Sequence, residues 1–315
     1  MDPGPFLRGV AFAGARGVPY PRARPEDAAR LPLDTWAQAR IPVGVRLELV
    51  GSGDVDVEYR TETDDLGYRG DGAGRTFSVW RRDEPVDEEK ADLGEGRVTL
   101  GFGAGADRAI VYLPEGMKPE ILSVDGDAEP APPQPRCVVY GDSVAEGWIA
   151  TAPALAWPAI AGREHGFDIV NMGYAGAARG EIPSAEHVAA LEADVIVIAY
   201  GTNCWIRTAH SAGMVREGFT AFLDVVRLGR PATPIVVTSP IVRPDAEATA
   251  NSLGATLEDI RRVMEEVARS RGDVTLVPGR ALVREDLLPD GIHPGDDGHR
   301  ALAAAIGPIL QQAVS

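Results

Sequence analysis

Apolar and polar residues follow two different rhythms along this chain. In residues 1–128 they alternate. Val45, Leu47 and Leu49 are interleaved with Arg46 and Glu48, and Val55, Val57 and Tyr59 with Asp56 and Glu58. A period of two turns one face of a strand to a core and the other to water. Further short strands are expected at 77–80, 97–102, 109–113 and 121–124, separated by Gly- and Asp-rich stretches such as 67–74 and 101–105. Short strands at such spacing predict an antiparallel, jelly-roll-like β-sandwich. One helix is expected at 25–30.

Residues 129–135 are rich in proline. Proline breaks helices and removes ladder hydrogen bonds, so this stretch reads as a short stiff linker between two domains. From 136 to 315 the rhythm changes. Continuous apolar runs lie at 137–140, 168–172, 195–200, 235–238 and 274–277, with helical patterns at 157–164, 185–191, 214–228, 257–269 and 297–313. Runs without alternation are expected of strands covered on both faces. Strand alternating with helix predicts an α/β domain of three layers around a parallel sheet. Such sheets carry their sites at the carboxyl ends of the strands.

Composition narrows the function. A chain of 315 residues, 44% hydrophobic and 25% charged, can pack its core without disulfide or metal staples. The net charge of −16 opposes a nucleic-acid partner, which would need clustered Lys and Arg. Cys137 and Cys204 stand in no disulfide framework or metal spacing. The start of the chain lacks the pattern of a signal peptide, and no run reaches the roughly 18 apolar residues that would suggest a membrane span. The expectation is a reduced, soluble, cytoplasmic protein with no membrane partner. Its oligomeric state is not legible.

Four short polar blocks stand at the ends of these elements. Gly141-Asp142-Ser143 follows the first run, and a serine there can present its hydroxyl at the sheet's edge, given a base to take its proton. Residues 171–176 end the second run with glycines whose N–H can face a developing oxyanion. Gly201-Thr202-Asn203 ends the third, where Asn203 offers a side-chain N–H to the same charge. Asp290 stands three residues before His293, a spacing that lets a carboxylate hold one imidazole nitrogen while the other faces Ser143. Taken singly, each block is as readily a turn or a helix cap.

Together and in order, the four blocks resemble those of the SGNH (GDSL) hydrolases over about 180 residues, from Arg136 onward. The resemblance implies a flavodoxin-like sheet of about five parallel strands. It implies Ser143 as nucleophile, His293 as general base and Asp290 as orienting carboxylate, with Ser143, Gly176 and Asn203 forming the oxyanion hole. Many members carry Asp after the third block's Asn; here Cys204 and Trp205 follow, which puts the pocket wall in doubt. Trp148, Trp205 and Arg207 are candidate pocket residues, and Cys204 reads as a bystander. A β-sandwich ahead of such a domain also resembles family two carbohydrate esterases and a salicylyl acyltransferase of a tetracycline pathway, on architecture alone. Trp36, Trp80 and Tyr59 are candidates for a sugar-stacking face and more readily core.

The function expected is hydrolysis of a small acyl ester of a sugar or natural product. The alternative is transfer of the acyl group to a hydroxyl acceptor, which the sequence does not separate from hydrolysis. No metal or organic cofactor is implied. His293, Asp296, Asp297 and His299 could suggest a metal, but Asp296 or Asp297 reads better as a helix cap. His165, His187 and His210 read as surface residues.

Overall fold

A computed structural model describes residues 1–65, 74–103, 105, 107–206 and 208–315. Arg207, most of the 67–74 turn and part of the 101–105 turn lie outside the described residues.

The alternating half folds as an antiparallel sheet of β1 (Leu7–Arg8), β2 (Arg46–Thr61), β3 (Thr76–Arg81), β4 (Glu84–Lys90), β5 (Gly94–Gly101), β6 (Ala109–Tyr112) and β7 (Glu120–Pro130). The patterns at 45–49 and 55–60 are one long strand. The start of β2 pairs with β6 and its end with β5, while β7 follows much of its length with a register slip between Gly51 and Val55. Such a slip bends a strand. β2 thereby joins both parts of this branched sheet, and its apolar residues from Leu47 to Tyr59 share one core with Phe77, Val79 and Leu100.

Three features of this half depart from the sequence pattern. Strand β4, Glu-Pro-Val-Asp-Glu-Glu-Lys, buries almost nothing and so carries no hydrophobic period. Strand β7 runs on to Pro130, within the stretch read as linker; Pro130 can end a strand because its missing N–H is not needed there. Helix α1 (Leu33–Ala39) was not expected; Pro32 precedes it and its buried residues are only Thr35 and Ala39. The helix expected at 25–30 is a 3₁₀ helix, Pro25–Arg30.

The second half follows its pattern closely. β8 (Arg136–Gly141), β9 (Asp168–Gly173), β10 (Val195–Ala199), β11 (Ile235–Thr238) and β12 (Val274–Val277) form a parallel sheet in the order β9-β8-β10-β11-β12. That is the flavodoxin-like order, in which the chain reverses its winding between β8 and β10. The helices are α2 (Ser143–Glu146), α3 (Trp157–His165), α4 (Ile182–Ala190), α5 (Ala212–Gly229), α6 (Leu257–Ser270) and α7 (Asp296–Val314). Ile196 and Ile198 of β10 pack with α4, α5 and α6, and Val195 and Val197 pack with α3 and α7 on the opposite face. Burial on both faces explains why these strands read as unbroken apolar runs.

The two sheets meet at β9, an edge strand with backbone groups to satisfy. Arg46 of β2 donates to the Ile169 carbonyl at 3.0 Å and to Asp168 at 3.1 Å, and Gly9 N–H donates to Asp168 at 2.9 Å. Alternation had assigned Arg46 and Glu48 to water. They are 5% and 1% exposed, because the parallel sheet covers their face.

Candidate active site

Strand β8 ends at Gly141, where a Cβ would stand 2.4 Å from Ala145 Cβ and 2.5 Å from the Ala199 carbonyl oxygen. Only glycine lets the chain turn so tightly against β10. Asp142 then caps α2, its carboxylate accepting the Val144 N–H at 3.1 Å. Ser143 is the first residue of α2 and is 8% exposed. Burial pushes the Asp142 carboxyl up to about 6, against hydrogen bonds from Val144 and Thr202 and the nearby His293 ring, which lower it.

The loop before α7 brings His293 to the same point. His293 Nε2 lies 2.9 Å from Ser143 Oγ, and its Nδ1 lies 2.7 Å from Asp290 Oδ2. Asp290 Oδ1 also accepts the N–H groups of Ile292 at 2.9 Å and His293 at 2.7 Å. Desolvation raises the Asp290 carboxyl, but its hydrogen bonds from the His293 ring and from the two N–H groups outweigh it and hold the carboxyl below its ordinary value. Asp290 therefore stays charged and aims the imidazole.

Two blocks flank this line of side chains. Gly176 follows β9 with φ +67, a left-handed conformation that suits glycine. Asn203 follows β10 and is 5% exposed; its Nδ2 donates to the Ala178 carbonyl at a long 3.4 Å. The four sequence blocks are thus linked: Thr202 hydrogen-bonds Asp142, Ala175 N–H donates to Glu146 of α2, and His293 meets Ser143.

The candidate pocket residues divide. The Trp148 ring lies 5.7 Å from the His293 ring, tilted by 34°. Trp205 turns to the loop after β11, donating from Nε1 to the Thr249 carbonyl at 2.7 Å beneath the Arg243 guanidinium. Cys204 is buried with its thiol shifted well upward by desolvation, so it holds no thiolate. Cys137 is likewise a buried free thiol. Tyr59 and Trp80 are buried, and Trp36 packs against the core.

Other readings of the sequence are corrected. Asp296 and Asp297 do not cap α7; Gly295 does, and Asp296 instead accepts Thr151 N–H at 2.9 Å and its hydroxyl at 2.7 Å. His299 is fully buried, its Nδ1 accepting the Trp157 N–H and its Nε2 donating to the Trp148 carbonyl, both at 3.3 Å. Burial pushes it down to about 4, so the ring is neutral. His187 is not a surface residue either: it is 1% exposed and lies 3.1 Å from Asp27, a residue far from it in sequence.

Sequence reasoning missed Glu146, which is fully buried and accepts the Ala175 N–H at 2.8 Å. Its place three residues after Ser143 on one helical turn was the available signal. A cavity of about 330 Å³ lies between the two sheets, lined by Arg46, Tyr112, Arg163 and Asn171 among others, and touches neither Ser143 nor His293. Among the described residues, no cluster of three His, Cys, Asp or Glu is arranged to hold a metal, and no helix is long and apolar enough to cross a membrane.

Comparison with known proteins agrees with this fold. Residues 139–301 match the GDSL-like lipase/acylhydrolase family. Among solved structures, the chain is similar to a salicylyl-acyltransferase from a tetracycline biosynthetic pathway, with 24% identity, 95% of this chain and 92% of the other covered, and a TM-score of 0.79. A protein described as a GDSL-like lipase from Bacteroides ovatus gives 18% identity, coverage of 98% and 95%, and a TM-score of 0.78. A family two carbohydrate esterase from Clostridium thermocellum, in complex with cellohexaose, gives 14%, coverage of 85% and 91%, and 0.64. No curated protein sequence matches.

Proposed function

Because the chain belongs to the GDSL-like lipase/acylhydrolase family, and is thus an enzyme of the esterase or acyltransferase kind, we propose that it hydrolyses a small acyl ester of a sugar or natural product through an acyl-enzyme on Ser143. The observation that carries this reading is the unbroken line from Ser143 Oγ through the His293 imidazole to Asp290, with contacts of 2.9 and 2.7 Å. His293 takes the Ser143 proton as the oxygen attacks the ester carbonyl. The imidazolium, steadied by Asp290, gives that proton to the leaving alcohol. The Gly176 N–H and the Asn203 amide, with Ser143's own N–H, receive the oxyanion. Water then attacks the acyl-enzyme with His293 again as base, releasing the acid.

Transfer to a hydroxyl acceptor shares the first half of this cycle, and the similar folds include both an acyltransferase and an esterase. Exposure favours water as the second nucleophile: the side chains of His293 and Asp290 are 15% and 34% exposed. An efficient transferase must keep water out.

The test is release of p-nitrophenol from p-nitrophenyl acetate by the wild type and by Ser143→Ala. Loss of about three or more orders of magnitude in kcat is expected, since the remaining groups only bind and polarise the ester. Equal activity in both would remove Ser143 from the mechanism. Adding sugar or polyketide alcohols and measuring free acid against acylated product separates hydrolysis from transfer.

A further inference from the structure

The loop that carries Gly176 is held from outside its own sheet. On one side of Gly176, Ala175 N–H donates to Glu146 Oε2 at 2.8 Å. Glu146 is fully buried, and the guanidinium of Arg22 stands 3.5 Å away. Arg22 is itself 1% exposed and donates to the Gly173 carbonyl, while Tyr174 returns a hydroxyl hydrogen bond of 2.6 Å to the Arg22 carbonyl. On the other side, the Gly176 carbonyl accepts Arg179 Nη1 at 3.3 Å. Arg179 Nη2 in turn meets both oxygens of Asp34 at 2.9 Å. Arg22 and Asp34 both belong to the segment that precedes the long strand β2, far from the parallel sheet in sequence.

We propose that residues 22–34 are a positioning element for the oxyanion hole, with Arg22 and Asp34 holding, through Glu146 and Arg179, the peptides on either side of the Ala175–Gly176 peptide and so aiming the Gly176 N–H at the reacting carbonyl. The inference rests on the reading of Gly176 and Asn203 as oxyanion donors. Glu146 and Arg179 grip the loop directly. Each is a charge that needs an opposite partner when buried, and the N-terminal segment supplies one to each, Arg22 to Glu146 and Asp34 to Arg179, which also has Glu181 at 3.7 Å. A donor contributes only when it meets the position the oxyanion will occupy, and small misplacements are costly in rate. Arg22 and Asp34 touch no substrate; they act through the loop.

The experiment compares Asp34→Ala and Arg22→Met with the wild type for kcat and KM on p-nitrophenyl acetate. It also measures inhibition by phenylboronic acid, whose tetrahedral adduct on a serine places an oxygen in the oxyanion hole. Both variants are expected to lose about 10- to 100-fold in kcat and a similar factor in boronate affinity, with KM within about twofold. A purely structural role would lower the melting temperature and leave those two quantities alone. Asp34 is 43% exposed, so Asp34→Ala decides the matter by itself if Arg22→Met does not fold. Wild-type kcat and boronate affinity in Asp34→Ala overturn the proposal. Asn203→Ala run beside it tells the two ideas apart. If Asn203→Ala is crippled and Asp34→Ala is not, only the positioning role falls. If Asn203→Ala is also unaffected, the oxyanion reading falls and this one with it.

Discussion

At the scale of single residues, the site sets two buried groups against each other in pH. Asp142 is raised from 3.8 to about 6, chiefly by desolvation. Between those values the folded protein holds a proton that the unfolded chain releases. This group's stabilising effect is therefore full below pH 3.8 and lost as pH rises through 6. His299 is lowered from 6.5 to about 4, again chiefly by desolvation. Its contribution is full above 6.5 and lost as pH falls through 4. Asp142→Asn keeps the cap's acceptor oxygen, so its melting temperature should exceed the wild type's at pH 8, with the gap closing towards pH 4. His299→Gln should flatten the wild type's decline between pH 6.5 and 4. Parallel melting curves across pH for all three proteins would contradict both assignments. Neither behaviour was legible beforehand. A turn or helix cap at Gly141-Asp142-Ser143 was, but the burial of Asp142 depends on β10 and His293, which are distant in sequence.

At the scale of elements, the short loop after α2 is under strain. Ile149 has φ +70, a region that β-branched residues avoid. The loop is pinned by His299 at the Trp148 carbonyl and by Asp296 at Thr151. The pinned conformation sets the Trp148 indole beside His293. Ile149→Gly should relieve on the order of 1–2 kcal/mol of backbone strain, offset in part by greater freedom of the unfolded chain. Activity should nevertheless fall, because a glycine between the two anchors lets the loop, and the Trp148 indole with it, move relative to His293. Thermal melting and p-nitrophenyl acetate turnover measured together test this: a variant both less stable and fully active would contradict it. The strands of the parallel half and its helices other than α2 matched their patterns to within about a turn, since burial on both faces writes itself into the residues. Strand β4 and helix α1 bury too little to leave such a mark.

For the whole molecule, the joint between the sheets decides how it unfolds. Arg46 pairs with Glu48 at 2.7 Å and Asp168 at 3.1 Å, and Arg108 also reaches Glu48. All three members of the central triad are nearly inaccessible to solvent. Removing one charge from a buried pair costs about 3–5 kcal/mol, because the other is left uncompensated. Glu48 remains beside Arg46, so Asp168→Ala should lie at the lower end of that range. The wild type is expected to melt in one calorimetric transition and Asp168→Ala to show two, as the sandwich and the parallel sheet uncouple. Two transitions in the wild type would show the joint to be weak.

The sequence alone determined which half is alternating and which is covered on both faces, where the parallel strands end, which three blocks follow β8, β9 and β10, and that a fourth precedes the last helix. These are local properties: a period of two or an apolar run records the burial that each residue needs, and Ser143, Asn203, Asp290 and His293 stand out as candidates by type and order. Only the tertiary structure decided what Arg22, Arg46, Glu48, Glu146 and His299 do. Each is a polar residue whose partner lies on a distant segment, and a charge on a strand or helix looks like a wet face until another layer covers it. The same holds for Asp296, which the pattern made a helix cap and the fold made an anchor for Thr151. Burial of charge is a property of pairs of segments, so no period along one chain can display it.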